Sequence, residues 1–181
     1  MDCKKGRRGP SGPRLPLREG KLVVRLPADS LEGGEVASRD FSGYGSYAVR
    51  MKVPNAPSSI TGFFLYRAPD FEHEVDVEVR NNRSGEVAFT TYLGGSREPT
   101  DTEIMLPFDP TAGFHTYRFD YQRDSVQFFA DGKLVHAFSV GTPKETMRLR
   151  VNAWYPDWQG GKQPASDEYL YVDWIQMPEA G

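Results

Sequence analysis

The sequence predicts an all-β fold, built as a sandwich, a jelly roll or a barrel. Three observations lead there. Aromatic residues make up 13% of the 181 residues and come with 18 Gly and 14 Pro; aromatics favour strands, while Gly and Pro punctuate turns. Short runs with period-2 alternation recur at regular spacing along the chain. No stretch carries the 3.6-residue periodicity of an amphipathic helix.

The elements follow in order. Residues 21–26 (KLVVRL) read as a strand ended by Pro27, and Glu32-Gly33-Gly34 marks a turn into a second strand at 35–39. Residues 41–45 form a turn-rich corner, and residues 47–53 alternate as a half-buried strand should. Residues 60–66 are nearly all apolar, which predicts burial on both faces. Residues 74–80 alternate strictly, and 86–93 form another strand. Residues 114–122 and 125–130 make two more, and Asp131-Gly132 signals a two-residue hairpin into 134–140. Residues 143–146 are a candidate for one turn of helix. Strands at 147–154 and 169–177 close the chain, with a long polar loop at 155–168 between them; such loops often carry function.

Charge and cysteine content exclude several classes. Lys and Arg number 22 against 25 Asp and Glu, for a formal net charge of -3, so there is no basic footprint for nucleic acid or an anionic membrane. No apolar run is long enough to span a bilayer as a helix. The single cysteine, Cys3, has no intrachain disulfide partner. Residues 1–19 read as a flexible basic arm containing Lys4, Lys5, Arg7 and Arg8, and this arm lacks the apolar core of a signal peptide. One domain is expected over residues 20–179.

The most informative segment is Glu74-Val75-Asp76-Val77-Glu78-Val79. Side chains alternate faces along a strand, so Glu74, Asp76 and Glu78 share one face while the three valines seek the core. Neighbouring like charges at this spacing repel one another. That cost suits glycoside cleavage, which needs one protonated carboxyl as general acid and one ionised carboxylate as nucleophile or base. Residues i and i+4 lie about 13 Å apart on a flat strand, whereas a retaining mechanism wants carboxyls about 5–5.5 Å apart. The reading therefore expects Glu74 and Glu78 on a concave face, leaning together. A solvent-facing strand with its acids paired to Arg or Lys is the alternative, and calcium binding by the acids is a lesser one.

Taken together, several segments resemble glycoside hydrolase family 16, the licheninase-like retaining endo-glucanases. Residues 43–52 (GYGSYAVRMK), 62–66 (GFFLY), the E-x-D-x-E run, 114–121 (FHTYRFDY), 126–133 (VQFFADGK), 151–154 (VNAW) and Asp173-Trp174 fall in the family's order. The resemblance implies a curved jelly-roll sandwich of two antiparallel sheets with a substrate cleft on its concave face. It implies Glu74 as nucleophile, Glu78 as general acid and then base, and Asp76 as the residue that tunes the nucleophile. The regular E-x-D-x-E spacing resembles the licheninase and transglycosylase branch and favours a mixed-linkage β-1,3-1,4-glucan.

Sugar-contact candidates are Trp154, Trp158, Tyr66 and Tyr92, whose rings suit the apolar face of a pyranose; core packing is the alternative. Asn152 is a candidate to hydrogen-bond a sugar hydroxyl or the nucleophile, or simply to serve strand pairing. Asp173 matches a structural calcium ligand of licheninases, so a structural calcium is a possible addition to a reaction that requires no cofactor. The expected partner is a polysaccharide, with no nucleic acid and no membrane, and the chain is expected to act as a monomer. The resemblance implies an extracellular enzyme.

Three functions fit these residues: a retaining endo-β-glucanase, a transglycosylase or hydrolase for another polysaccharide such as xyloglucan, and a non-catalytic glycan-binding module. Departures from the family pattern keep the second in view. Thr90 and Thr91 stand where licheninases tend to have Asn and Trp, Ala48 replaces a Glu, and Arg67 follows Tyr66 where small polar residues are common.

Overall fold

The computed structural model describes residues 17–18, 20–95 and 101–178. Cys3 and the four cations assigned to the arm lie outside the described residues. Among those described, two antiparallel sheets account for every strand. The seven-stranded sheet runs in the order β1 (Leu17–Arg18), β2 (Lys21–Leu26), β13 (Glu168–Gln176), β4 (Gly45–Lys52), β9 (His115–Tyr121), β10 (Val126–Ala130) and β11 (Lys133–Phe138). The six-stranded sheet runs β3 (Gly34–Ala37), β12 (Arg148–Trp154), β5 (Ile60–Arg67), β6 (His73–Arg80), β7 (Glu86–Leu93) and β8 (Thr102–Met105).

The two sheets close on one aromatic and aliphatic core. Phe63 of the six-stranded sheet meets Phe119 of the other with ring centroids 5.1 Å apart, and Phe89 stacks on Phe128 at 4.6 Å. Val75, Val77 and Val79 enter this core fully buried. Each such side chain is worth about 1.5–3 kcal/mol of burial. A one-residue slip of β6 would surrender all three and drive Glu74, Asp76 and Glu78 into the core, so the facing of the strand is strongly fixed. The end of β6 is pinned by buried Asn81, whose amide nitrogen donates to Ser59 Oγ at 2.8 Å and whose Oδ1 accepts from Thr61 at 2.7 Å.

The predicted Asp131-Gly132 hairpin forms with both residues at positive φ, 46° and 78°, as a two-residue type I′ turn requires. Asp131 adds a local lock by accepting the Thr116 amide at 2.9 Å. Three elements differ from expectation. Leu17–Arg18, assigned to the arm, pairs with β2. The edge strand β8 was not foreseen; it is four residues long and charged, and only pairing with β7 identifies it. Residues 143–146 form no helical turn. The Tyr121 hydroxyl donates to the Pro143 carbonyl at 2.8 Å, and Met147 exchanges backbone hydrogen bonds with Ser42, which together draw the segment out.

Candidate active site

β6 lies between β5 and β7, and its outward row is the centre of the site. In the register, Glu74 faces Tyr66 on one side and Tyr92 on the other, Asp76 faces Phe64 and Thr90, and Glu78 faces Gly62 and Ala88. The next strand out, β12, places Arg148, Arg150, Asn152 and Trp154 opposite Tyr66, Phe64, Gly62 and Ile60. One outer face of the six-stranded sheet thus gathers the three acids with Asn152, Tyr66, Tyr92 and Trp154.

The two ends of the acid row differ in a way that matters chemically. Glu74 is only 1% exposed although it points away from the core. The loop before β6 covers it, and the Phe71 amide donates to Glu74 Oε1 at 3.1 Å. Phe71 holds positive φ of 67° to do so, and its ring packs on Tyr92 at 5.1 Å. Tyr66 donates to Asp70 Oδ1 at 2.6 Å in the same loop. The Glu74 carboxylate is therefore oriented by a walled, hydrogen-bonded niche. Tyr92 serves as a wall of that niche, with its ring largely covered, more than as an open platform. Glu78 is partly exposed. The space over its neighbour Gly62 is taken up by the Asn152 amide, so this carboxyl group has a polar side chain on one flank and the small Ala88 on the other.

Asn152 is tied on both sides. Its Oδ1 accepts the Gly62 amide at 3.0 Å, and its amide nitrogen donates to Glu35 at 3.2 Å. Glu35 also takes Arg150 Nη1 at 2.6 Å, and the Arg150 guanidinium lies 4.4 Å from the centre of the Tyr66 ring. Trp158 sits on the 3-10 turn Asp157–Gln159 and is 51% exposed. It is brought to the site by Arg80, two residues beyond Glu78, which also binds Glu86 and Glu103 at 3.1 and 2.8 Å.

Asp173 is not part of this arrangement. It sits at an irregularity in β13, on the other sheet, and pairs with Arg50. Among the described residues no group of three or more His, Cys, Asp or Glu is arranged for a metal ion. Asp173 is already committed to a guanidinium and would have to give up that pair to ligate a calcium ion. Of the histidines, His115 pairs with Asp131 at 2.7 Å and stacks on Phe108, as a structural residue would.

Sequence reasoning did not single out Glu35, Arg80 or Arg150. Arg80 and Arg150 carried a signal, because each extends a period-2 row already under attention, Arg80 after Glu78 and Arg150 before Asn152. Glu35 carried none; only the long-range pairing of β3 with β12 brings it in.

A β-sandwich that presents three carboxylates between tyrosine and tryptophan on one sheet face carries the paired acids that glycoside cleavage uses. The comparisons with known proteins give the family. The family model for glycosyl hydrolases family 16 matches residues 15–176. A β-glucanase of Paenibacillus macerans is 30% identical over 168 residues, 87% of this chain and 70% of that protein. The solved structure of Bacillus licheniformis β-glucanase superposes with a TM-score of 0.78 at 28% identity, covering 86% of this chain and 77% of that one. The Crh5 transglycosylase shares the fold, with a TM-score of 0.79 at 23% identity over 91% of this chain and 75% of its own. The chain belongs to glycosyl hydrolases family 16, and it is a glycoside hydrolase.

Proposed function

We propose that this enzyme is a retaining endo-β-glucanase that cleaves mixed-linkage β-1,3-1,4-glucan by double displacement, acting as a monomer outside the cell. The observation that carries the reading is the asymmetry of the acid row. Glu74 is enclosed and oriented by the Phe71 amide, as a nucleophile that must meet one carbon in one direction should be. Glu78 is partly exposed between Gly62 and Ala88, where a carboxyl can reach a leaving-group oxygen. The β-glucanase relatives support the choice of polymer.

In this mechanism Glu74 attacks the anomeric carbon while Glu78 donates a proton to the departing glycosidic oxygen. A glycosyl-enzyme forms on Glu74. Water then enters, Glu78 takes its proton, and the anomeric carbon is released with its original configuration. Asp76, between them on the same face, orients the nucleophile. Trp158 and Trp154 supply apolar faces for sugar rings, and Asn152 supplies a polar contact. The chemistry runs on carboxyl groups and requires no cofactor.

The test is hydrolysis of lichenan and barley β-glucan with product stereochemistry followed by NMR. Retention at the anomeric carbon is expected. Loss of the positioned proton donor in Glu78→Gln is expected to cost about 10²–10⁴-fold in kcat, and Glu74→Gln is expected to be inactive. An active Glu74→Gln enzyme, or inverted product, overturns the assignment.

A second reading, a hydrolase or transglycosylase for another β-linked polysaccharide, is favoured by one feature. Arg67 and Arg148 flank the exposed Phe41 ring at 5.5 and 4.8 Å, near the Tyr66 end of the row. A polysaccharide panel that includes xyloglucan and acidic galactans, with product linkage analysis, separates the two.

A further inference from the structure

A cavity of about 560 Å³ opens on the other sheet, at the β4–β9 end, lined by Tyr44, Ser46, Arg118, Asp120, Gln122 and Arg123. Tyr117, Phe119 and Tyr121 of β9 fill the core, so the alternate residues Arg118 and Asp120 point outward, away from the acid row. The volume lies within the roughly 300–1,000 Å³ typical of small-molecule sites.

Its walls are built for a ligand that is neutral and rich in hydroxyls. Tyr44 is exposed and rests on Tyr121, with ring centroids 4.8 Å apart, which fixes the ring while leaving surface for a flat apolar partner. Arg118 is held by Asp120 at 3.3 Å and by the Phe129 ring at 3.8 Å. The Arg118 and Asp120 side chains remain 38% and 24% exposed, so a donor and an acceptor face the cavity together. A hydroxyl can meet both, because it donates and accepts at once. Asp120 between Arg118 and Arg123 argues against a polyanion, and the polar floor argues against an apolar ligand.

We propose that this cavity is a second glycan-binding site, which holds a short segment of neutral β-glucan away from the cleavage site. The identity of the polymer rests on the proposed function. Binding one chain at two places raises the effective concentration of the polymer at the cleft. Short oligosaccharides, unable to reach both sites, gain nothing from it.

The test uses the full chain with Tyr44→Ala and Arg123→Ala. Arg123 lies on the exposed rim, so its variant keeps the question answerable if Tyr44→Ala folds poorly. The probes are barley β-glucan and a mixed-linkage tetrasaccharide. We expect KM for the polymer to rise about three- to tenfold, as loss of a tethering contact predicts, with kcat and tetrasaccharide hydrolysis unchanged. Retardation in native gels containing the polymer falls in parallel. That retardation needs no turnover: wild type slowed more than the variants sustains the second site even if no hydrolysis is found. Hydrolysis by all three with equal retardation overturns the second site and leaves the proposed function standing.

Discussion

The Arg80 guanidinium lies 4.8 Å from the centre of the Trp158 ring. Arg80 is itself clamped by Glu86 and Glu103, so an exposed tryptophan on a polar loop is held against the end of the acid strand. A cation–π contact of this kind is worth about 0.5–2 kcal/mol. In Arg80→Met the ring loses its anchor but not its chemistry. The expected result is a rise in KM for β-glucan of about three- to tenfold, since 1.4 kcal/mol is a factor of ten, with kcat nearly unchanged. Trp158→Ala should raise KM further. An equal fall in kcat would mean that Arg80 acts on the acid row and not on the platform; steady-state kinetics on the soluble polymer decide it.

Gly62 lies directly across from Glu78 and gives up its side chain to make room for Asn152. A Cβ at this position would stand 2.6 Å from Asn152 Oδ1 and 3.2 Å from the Phe64 ring. Gly62→Ala therefore pushes away the amide that accepts the Gly62 N–H. Overpacking of this kind costs about 1–3 kcal/mol. Thermal unfolding should show a drop of about 2–4 °C per kcal/mol for a chain of this size, and activity should fall because the displaced amide moves into the space beside Glu78.

The legible part of this protein was the part written with a local period. β6 could be read because valines and acids alternate within one strand, and the Asp131-Gly132 turn because two adjacent residues set its geometry. The niche around Glu74 could not be read in the same way. It depends on the Phe71 backbone at positive φ and on Tyr66 reaching Asp70, and neither leaves a periodic trace. Glu35 was hidden for a related reason, since β3 meets β12 across more than a hundred residues of chain. The Asp173-Trp174 match is local and says nothing about Arg50, which reaches Asp173 from β4.

Tyr117 carries a buried hydroxyl with no hydrogen-bond partner among the described residues. Burial raises the phenols of Tyr47, Tyr117 and Tyr121, that of Tyr47 to about 12. In the unfolded chain these groups ionise near about 10. Above that pH the unfolded chain releases protons that the folded chain keeps, so stability falls as pH rises through 10. Tyr117→Phe removes one such group and an unmet polar atom. It should be neutral to about 1 kcal/mol stabilising at pH 7, and its stability should decline less steeply between about pH 10 and 12. Tyr47→Phe instead loses the hydrogen bond to the Gly43 carbonyl and should be less stable at pH 7. Thermal unfolding followed by circular dichroism from neutral to alkaline pH checks both.

Glu35 joins the two polar side chains that flank the acid row from β12, accepting from Arg150 and from Asn152. Its loss would strand the Arg150 guanidinium, which is mostly covered and lies over the Tyr66 ring. Removing one partner of a fully buried pair costs about 3–5 kcal/mol, and exposed pairs are worth about 0–1 kcal/mol. This pair lies between, with side chains 23% and 18% exposed, so Glu35→Gln should cost about 1–2 kcal/mol. Gln keeps an acceptor for Asn152 but not the charge for Arg150. The expected signature is a lower unfolding temperature, with KM raised more than kcat is lowered, because Glu74, Asp76 and Glu78 are left in place. Glu35→Ala should lose both contacts and fall further on both measurements. If Glu35→Gln matched wild type in stability and KM, the Glu35–Arg150 pair would have no part in shaping the cleft face.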